Sequence, residues 1–186
     1  MKVIVAVTAA SGAIYARLVL EHLLRSTEVE RIALIMSEKA AEVVAFEGEQ
    51  LPREERITEY DNHDMFADVA SGSARWDAMV VVPASMGTVG RIAAGVSQRL
   101  IERAADVMLK ERRRLICVVR EAPYSLIHLR NMTAITEAGA IVVPASPSFY
   151  SHPKSIEEAA TTIVERVMDL SGVEAVAYRF EGREGK

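Results

Sequence analysis

Leu115-Ile116-Cys117-Val118-Val119, followed at once by Arg120-Glu121-Ala122-Pro123, is the stretch that decides how this chain folds. Five apolar residues without a polar interruption read as a strand buried on both faces, the habit of strands in a parallel sheet. A helical segment leads into it, Arg103 through Arg114, ending on Lys110-Glu111-Arg112-Arg113-Arg114. A strand fed by a helix in this way belongs to a βαβ unit. Ligands of open parallel sheets sit beyond the carboxyl ends of the strands, so Arg120 and Glu121 are placed to meet one.

Working outward, similar apolar runs occupy 3–7, 32–36, 79–83 and 140–144, with segments of helical period between them. Crossovers joining parallel strands are almost always right-handed, so the alternation predicts an α/β fold: a three-layer, doubly wound parallel sheet of about five strands. The first helix is expected near 12–26, with Ile14, Leu18, Leu23 and Leu24 on one face. In the last helix, Ser155 and Glu158 form a capping-box pattern, Ile156 through Leu170 supply an apolar stripe and Gly172 supplies the stop. The polar stretch 47–76 reads as an irregular excursion. A single domain over 1–172 and a mobile or partner-bound tail over 173–186 complete the expected layout.

Composition narrows the function. Half of the 186 residues are apolar but only 5% are aromatic, which suits a sheet covered by close-packed helices. No apolar run reaches the ~18 residues of a spanning helix, and Met1 to Val7 is too short and strand-like for a signal peptide, so no membrane role is expected. A net charge of −4 without a basic stripe argues against nucleic acid as a partner. The lone Cys117 lies within a strand run, as a small buried hydrophobe of a reducing, cytoplasmic setting would. His22, His63, His128 and His152 show no ligand spacing, so no metal is expected.

Three strand-to-helix turns carry hydroxyls: Thr8-Ala9-Ala10-Ser11-Gly12-Ala13, Met36-Ser37 and Ser85-Met86-Gly87-Thr88. Each alone is an ordinary helix cap. Together, three turns of one sheet can converge on a phosphoryl or ring system, and the small residues of the first suit an anion at a helix start. A nucleotide-type cofactor follows, and the lack of Gly-x-Gly-x-x-Gly argues against NAD. Three prolines in Pro144 to Pro153 stiffen the loop that presents Tyr150. Lys110 closes a helix, Arg166 flanks the apolar stripe of the last helix, and Glu47 closes the second helix. All three positions are also ordinary ones for solvated charges.

Taken together, Ala10-Ser11-Gly12-Ala13-Ile14-Tyr15, Ser71-Gly72-Ser73, Arg103 through Arg113, Arg120-Glu121-Ala122-Pro123, His128 through Met132 and Pro147-Ser148-Phe149-Tyr150 resemble the UbiX-type flavin prenyltransferases. The resemblance implies a flavodoxin-like, Rossmann-like fold that binds FMN between subunits of a homo-oligomer, typically a dodecamer. It implies transfer of the dimethylallyl group of dimethylallyl monophosphate to N5 and C6 of reduced FMN, without a metal. The prenylated FMN then serves a UbiD-type decarboxylase. Carried over by position, Ala9, Ala10, Ser11, Ser37, Ser85, Met86, Gly87, Thr88 and Arg120 correspond to flavin-binding residues. Lys110, Tyr150 and Arg166 correspond to residues around the prenyl phosphate, and Glu47 and Glu121, with Lys110, to the catalytic ones.

This chain departs from the family in having Ala9 where glycine is usual and Tyr178-Arg179-Phe180 where an Arg-Trp pair is common. Two other readings keep a flavin: a carrier subunit of a decarboxylase complex without chemistry of its own, and a cysteine decarboxylase. The second relies on a catalytic histidine and a Pro-x-Met-Asn segment, neither of which is found here. Lys110 lies at the opposite end of its strand from Arg120 and Glu121, so its expected site is in an adjacent subunit.

Overall fold

The computed structural model describes residues 1–174; Tyr178-Arg179-Phe180 and the rest of 175–186 lie outside the described residues, whereas Val173, the first residue of the expected tail, is buried in the core. Six parallel strands form one sheet: β1 (Lys2–Val7), β2 (Arg31–Met36), β3 (Ile57–Tyr60), β4 (Ala78–Ala84), β5 (Arg114–Val119) and β6 (Ile141–Pro144). Six helices connect and follow them: α1 (Ala13–Arg25), α2 (Ala40–Phe46), α3 (Met86–Ala93), α4 (Leu100–Lys110), α5 (Leu126–Glu137) and α6 (Ile156–Ser171). The strand order is β3-β2-β1-β4-β5-β6. The expected three-layer, doubly wound architecture is therefore present.

Period-2 alternation builds two cores from each central strand. Val3, Val5 and Val7 of β1 pack with Ala16, Val19 and Leu20 of α1 and Val164 and Val167 of α6. Ile4 and Ala6 point the other way, toward Val89 of α3 and the apolar face of α4. Both faces being covered, the central strands carry no polar alternation, and this is why they stood out as continuous runs. Cys117 is fully buried in the second core, and burial pushes its thiol pKa up to about 12.

The sheet has six strands rather than about five. The sixth is β3, inside the stretch read as irregular. It is an edge strand of four residues, Ile57-Thr58-Glu59-Tyr60, with its two central side chains exposed. Pairing to β2 defines it, Ile32 opposite Ile57 and Ile35 opposite Tyr60, and sequence pattern does not record pairing. At the end of α6 the Gly172 stop takes the left-handed conformation (φ 81°). At its start Ser155 Oγ accepts from Glu158 N–H, but the Glu158 carboxylate accepts from Lys154 N–H rather than completing the box at Ser155. A reciprocal box forms at α5 instead, between Ser125 and His128.

The strand order places a topological switch point between β1 and β4. Beyond β1 the chain turns into α1, which packs with α6 on one face; beyond β4 it turns into α3, which packs with α5 on the other. The two turns diverge and leave a crevice above the carboxyl ends of both strands, where ligands of such folds sit.

Candidate active site

Thr8 ties the crevice floor together. Its hydroxyl donates to the Pro83 carbonyl (2.7 Å) and accepts from Ser85 N–H (2.8 Å), locking the end of β1 to the end of β4. Ser37 N–H donates to the Val7 carbonyl (2.9 Å) and draws in the turn after β2. The three hydroxyl-bearing turns thus converge, and Ala9, Ser37, Ser85 and Thr88 line one cleft of about 340 Å³. Ser85 caps α3, its Oγ accepting from Thr88 N–H and donating to Thr88 Oγ1 (3.1 Å). Met86 is turned into the core, whereas Gly87 is exposed in the first turn.

The start of α1 already holds an anion, supplied by the chain itself. One oxygen of the Glu47 carboxylate accepts from Gly12 N–H (3.0 Å) and Ala13 N–H (2.7 Å), and the other lies 3.1 Å from Gly12 N. These are the N–H groups expected to favour a ligand phosphate. Glu47 reaches them because α2 ends at Phe46 and Glu47 is its C-terminal cap, 35 positions along the chain from Gly12. Desolvation alone would raise the Glu47 pKa. Hydrogen bonds from the Ser11 side chain and from the Ala13 and Gly12 N–H groups, with the charge of Arg120, outweigh it and hold the group below the ordinary carboxylate value.

A carboxyl whose pKa is depressed in the folded state contributes stability that is present above its unfolded value of 4.5 and lost as pH falls through the folded value. The melting temperature of the parent is expected to drop more steeply than that of Glu47→Gln below about pH 4.5. Calorimetry across pH 3 to 7 checks this, and parallel curves for the two proteins would show that the contact does not discriminate protonation states.

Arg120 and Glu121 leave the end of β5 beside the same turn. Arg120 Nε donates to the Ser11 carbonyl (3.3 Å), and Glu121 Oε1 accepts from Ala122 N–H (3.0 Å). Ser11, Glu47 and Arg120 therefore gather at one end of the crevice, with Glu121 next to Arg120 in the chain and the hydroxyl cleft at the other end. No group of His, Cys, Asp and Glu side chains able to hold a metal ion occurs among the described residues.

A model of the family described as Flavoprotein matches residues 1–172. The flavin prenyltransferase UbiX of Thermoplasma acidophilum is 45% identical over 176 residues, covering 93% of this chain and 96% of the relative. The chain belongs to the UbiX flavin prenyltransferases. Its enzymatic class is accordingly that of a transferase. A UbiX crystal structure in complex with FMN and dimethylallyl pyrophosphate superposes with a TM-score of 0.91 at 42% identity, over 98% of both chains. A dodecameric, FMN-dependent UbiX-like decarboxylase of Escherichia coli O157:H7 gives a TM-score of 0.90 at 38% identity, over 98% of this chain and 100% of that one.

The residues that the resemblance relates to the prenyl phosphate, Lys110, Tyr150 and Arg166, do not gather in the crevice of this chain. Lys110 ends α4 at the amino end of the sheet, exposed, its ammonium paired with Glu111. The six residues of β5 separate it from Arg120 by roughly 20 Å. Arg166 is exposed on α6, facing away from the buried stripe of Ile163, Val164 and Val167. Tyr150 is 75% exposed on the loop after β6. The basic run beyond Lys110 is partly structural: Arg113 Nη2 donates to the Gly72 carbonyl (2.7 Å) and Arg114 Nη1 to that of Ser171 (3.3 Å).

Sequence reasoning missed Asn62, Arg91, Arg99 and Glu102, which also line the cleft. Arg91 had a legible signal, since it follows Thr88 by one helical turn. The others reach the cleft only through folding: Asn62 meets the first turn of α4, its Oδ1 accepting from Ile101 N–H (3.0 Å), Arg99 precedes that helix, and Glu102 enters from its first turn.

Proposed function

We propose that this chain transfers the dimethylallyl group of dimethylallyl monophosphate to N5 and C6 of reduced FMN, producing prenylated FMN for a UbiD-type decarboxylase. The observation that carries this reading is the division of the crevice: hydroxyls and cations line one end, and Ser11, Glu47 and Arg120, with Glu121 next in the chain, gather at the other. The first end suits a phosphorylated polyol, and the second suits the ring that the polyol carries. FMN combines both, and when bound it supplies the electron-rich carbon and nitrogen that accept the allyl group.

The chain's own residues supply the rest. Ser37, Ser85 and Thr88 bind the polyol phosphate through their hydroxyls, and Arg120, braced on the Ser11 carbonyl, orients the ring. Breaking the allylic C–O bond leaves the electron pair on a phosphate, and Lys110, Tyr150 and Arg166 are the donors that stabilise it. Loss of the C6 proton calls for a base. Both Glu47 oxygens face backbone donors at the start of α1, whereas Glu121 has one bond from Ala122 N–H, so Glu121 takes that proton.

Because Lys110 and Arg120 are far apart, assembly completes the site, and a homo-oligomer, a dodecamer as in the E. coli relative, is part of the reading. Exposed Leu126, Ile127 and Leu129 on α5, with Tyr124 before it and Phe149 beyond β6, supply apolar surface for subunit contacts. The single cysteine, Cys117, is a buried free thiol, which supports a reducing, cytoplasmic setting.

The test is anaerobic incubation of the protein with reduced FMN and dimethylallyl monophosphate, followed by mass spectrometry. A flavin heavier by one C5 unit is the expected product. Bound FMN with no heavier flavin would overturn the transferase reading in favour of a carrier.

A further inference from the structure

Arg91 does not extend into solvent from α3 but curls back over the first turn of its own helix. Its Nε donates to Glu102 Oε1 (2.6 Å) and its Nη2 to Thr88 Oγ1 (3.0 Å). A Cβ built on Gly87 would lie 3.5 Å from Nη1, so the guanidinium lies over the backbone at Gly87, within ordinary contact distance of a side chain there. The cation is thereby delivered to the N-terminal end of α3, beside the N–H groups that favour an anion.

Glu102 is built to hold it there. The residue is only 4% exposed, on α4, while the Arg91 side chain is 45% exposed and lines the cleft. Glu102 Oε2 is buried and has no hydrogen-bond partner among the described residues. A buried carboxylate is costly unless paired, so Glu102 holds the Arg91 guanidinium firmly in place. The exposed edge of that guanidinium, in the cleft, can donate to a phosphate.

We infer that Arg91 is the counter-cation of the flavin phosphate in this chain, and that Glu102 is the positioning residue that turns it toward the start of α3. The inference rests on the flavin reading above. It predicts that the protein distinguishes FMN from riboflavin, which lacks the phosphate, chiefly through one guanidinium. Arginine suits this role because its planar fork can keep one edge on Glu102 and offer another to phosphate oxygens.

Flavin fluorescence quenching with FMN and with riboflavin, on flavin-stripped full-length protein, tests it. Arg91→Ala is expected to weaken FMN about 10- to 100-fold and to leave riboflavin within about twofold. Glu102→Ala is expected to reduce the FMN-to-riboflavin preference, and Glu102→Gln, which keeps an oxygen to accept from Nε, to restore most of it. Because Arg91→Ala strands a buried carboxylate, Arg91→Ala/Glu102→Gln is measured beside it and is expected to show the same selective loss. FMN binding by that folded double variant as tight as the parent's would overturn the role of Arg91 and leave the flavin reading standing. A parent that binds neither flavin would overturn the flavin reading, and this inference with it.

Discussion

Lys110→Ala lowers the rate of prenylated-flavin formation by about 100-fold or more while FMN binding stays within about twofold of the parent, since one donor to a developing anion is worth that much. Lys110 is proposed to meet the prenyl phosphate, yet its ammonium lies at the amino end of the sheet, paired with Glu111 and separated from Arg120 by the length of β5. Both hold when Lys110 acts on the site of a neighbouring subunit. Its loss then removes stabilisation of the departing phosphate without touching the hydroxyl cleft.

Mixed assemblies make that claim testable. Lys110→Ala and Glu121→Gln subunits are each inactive alone, but co-assembled they form some sites with Glu121 from one chain and Lys110 from the next. Random equal mixing through a heterologous contact yields about a quarter of sites intact, and activity is expected to return in that proportion. If Lys110 served its own subunit, every site would keep one defect, and mixing would restore nothing.

Glu121→Gln is the second large effect. Glutamine keeps the shape of the side chain and an oxygen to accept from Ala122 N–H, so the geometry at the end of β5 is preserved. It cannot take up a proton at neutral pH. FMN affinity is expected to stay near the parent value while turnover falls about 100-fold or more, the usual scale for a lost general base. Single-turnover kinetics with mass detection of the flavin measures this. Turnover equal to the parent's would remove Glu121 from the chemistry and leave the departing phosphate as the base.

Different parts of the molecule were legible in the sequence to different degrees. β1, β2, β4 and β5 were plain because both faces of each are covered, and a strand buried on both sides has to be apolar throughout. β6, the other edge, is only half-buried but keeps Ile141, Val142 and Val143 against the two cores. β3 was not plain, because an edge strand needs only backbone partners and keeps Thr58 and Glu59 exposed. The hydroxyl turns were visible as small polar residues directly after apolar runs. Glu102 was invisible, since a glutamate early in a helix ordinarily sits in solvent, and only the packing of α4 beside α3 buries this one.

The sequence by itself determined a parallel α/β sheet, three helix starts able to meet a ligand, and a charged pair at the end of β5, because burial and capping leave local marks within a few residues. The tertiary structure alone decided what those pieces do together. Strand order put β1 beside β4 and opened the crevice between their diverging turns. Folding carried Glu47 across 35 positions to occupy the start of α1, where a ligand phosphate had been expected, and brought Glu102 to Arg91 at the start of α3. Such pairings join charges remote in sequence, and no periodicity records them, because their energy depends on a distance that exists only after the sheet has formed.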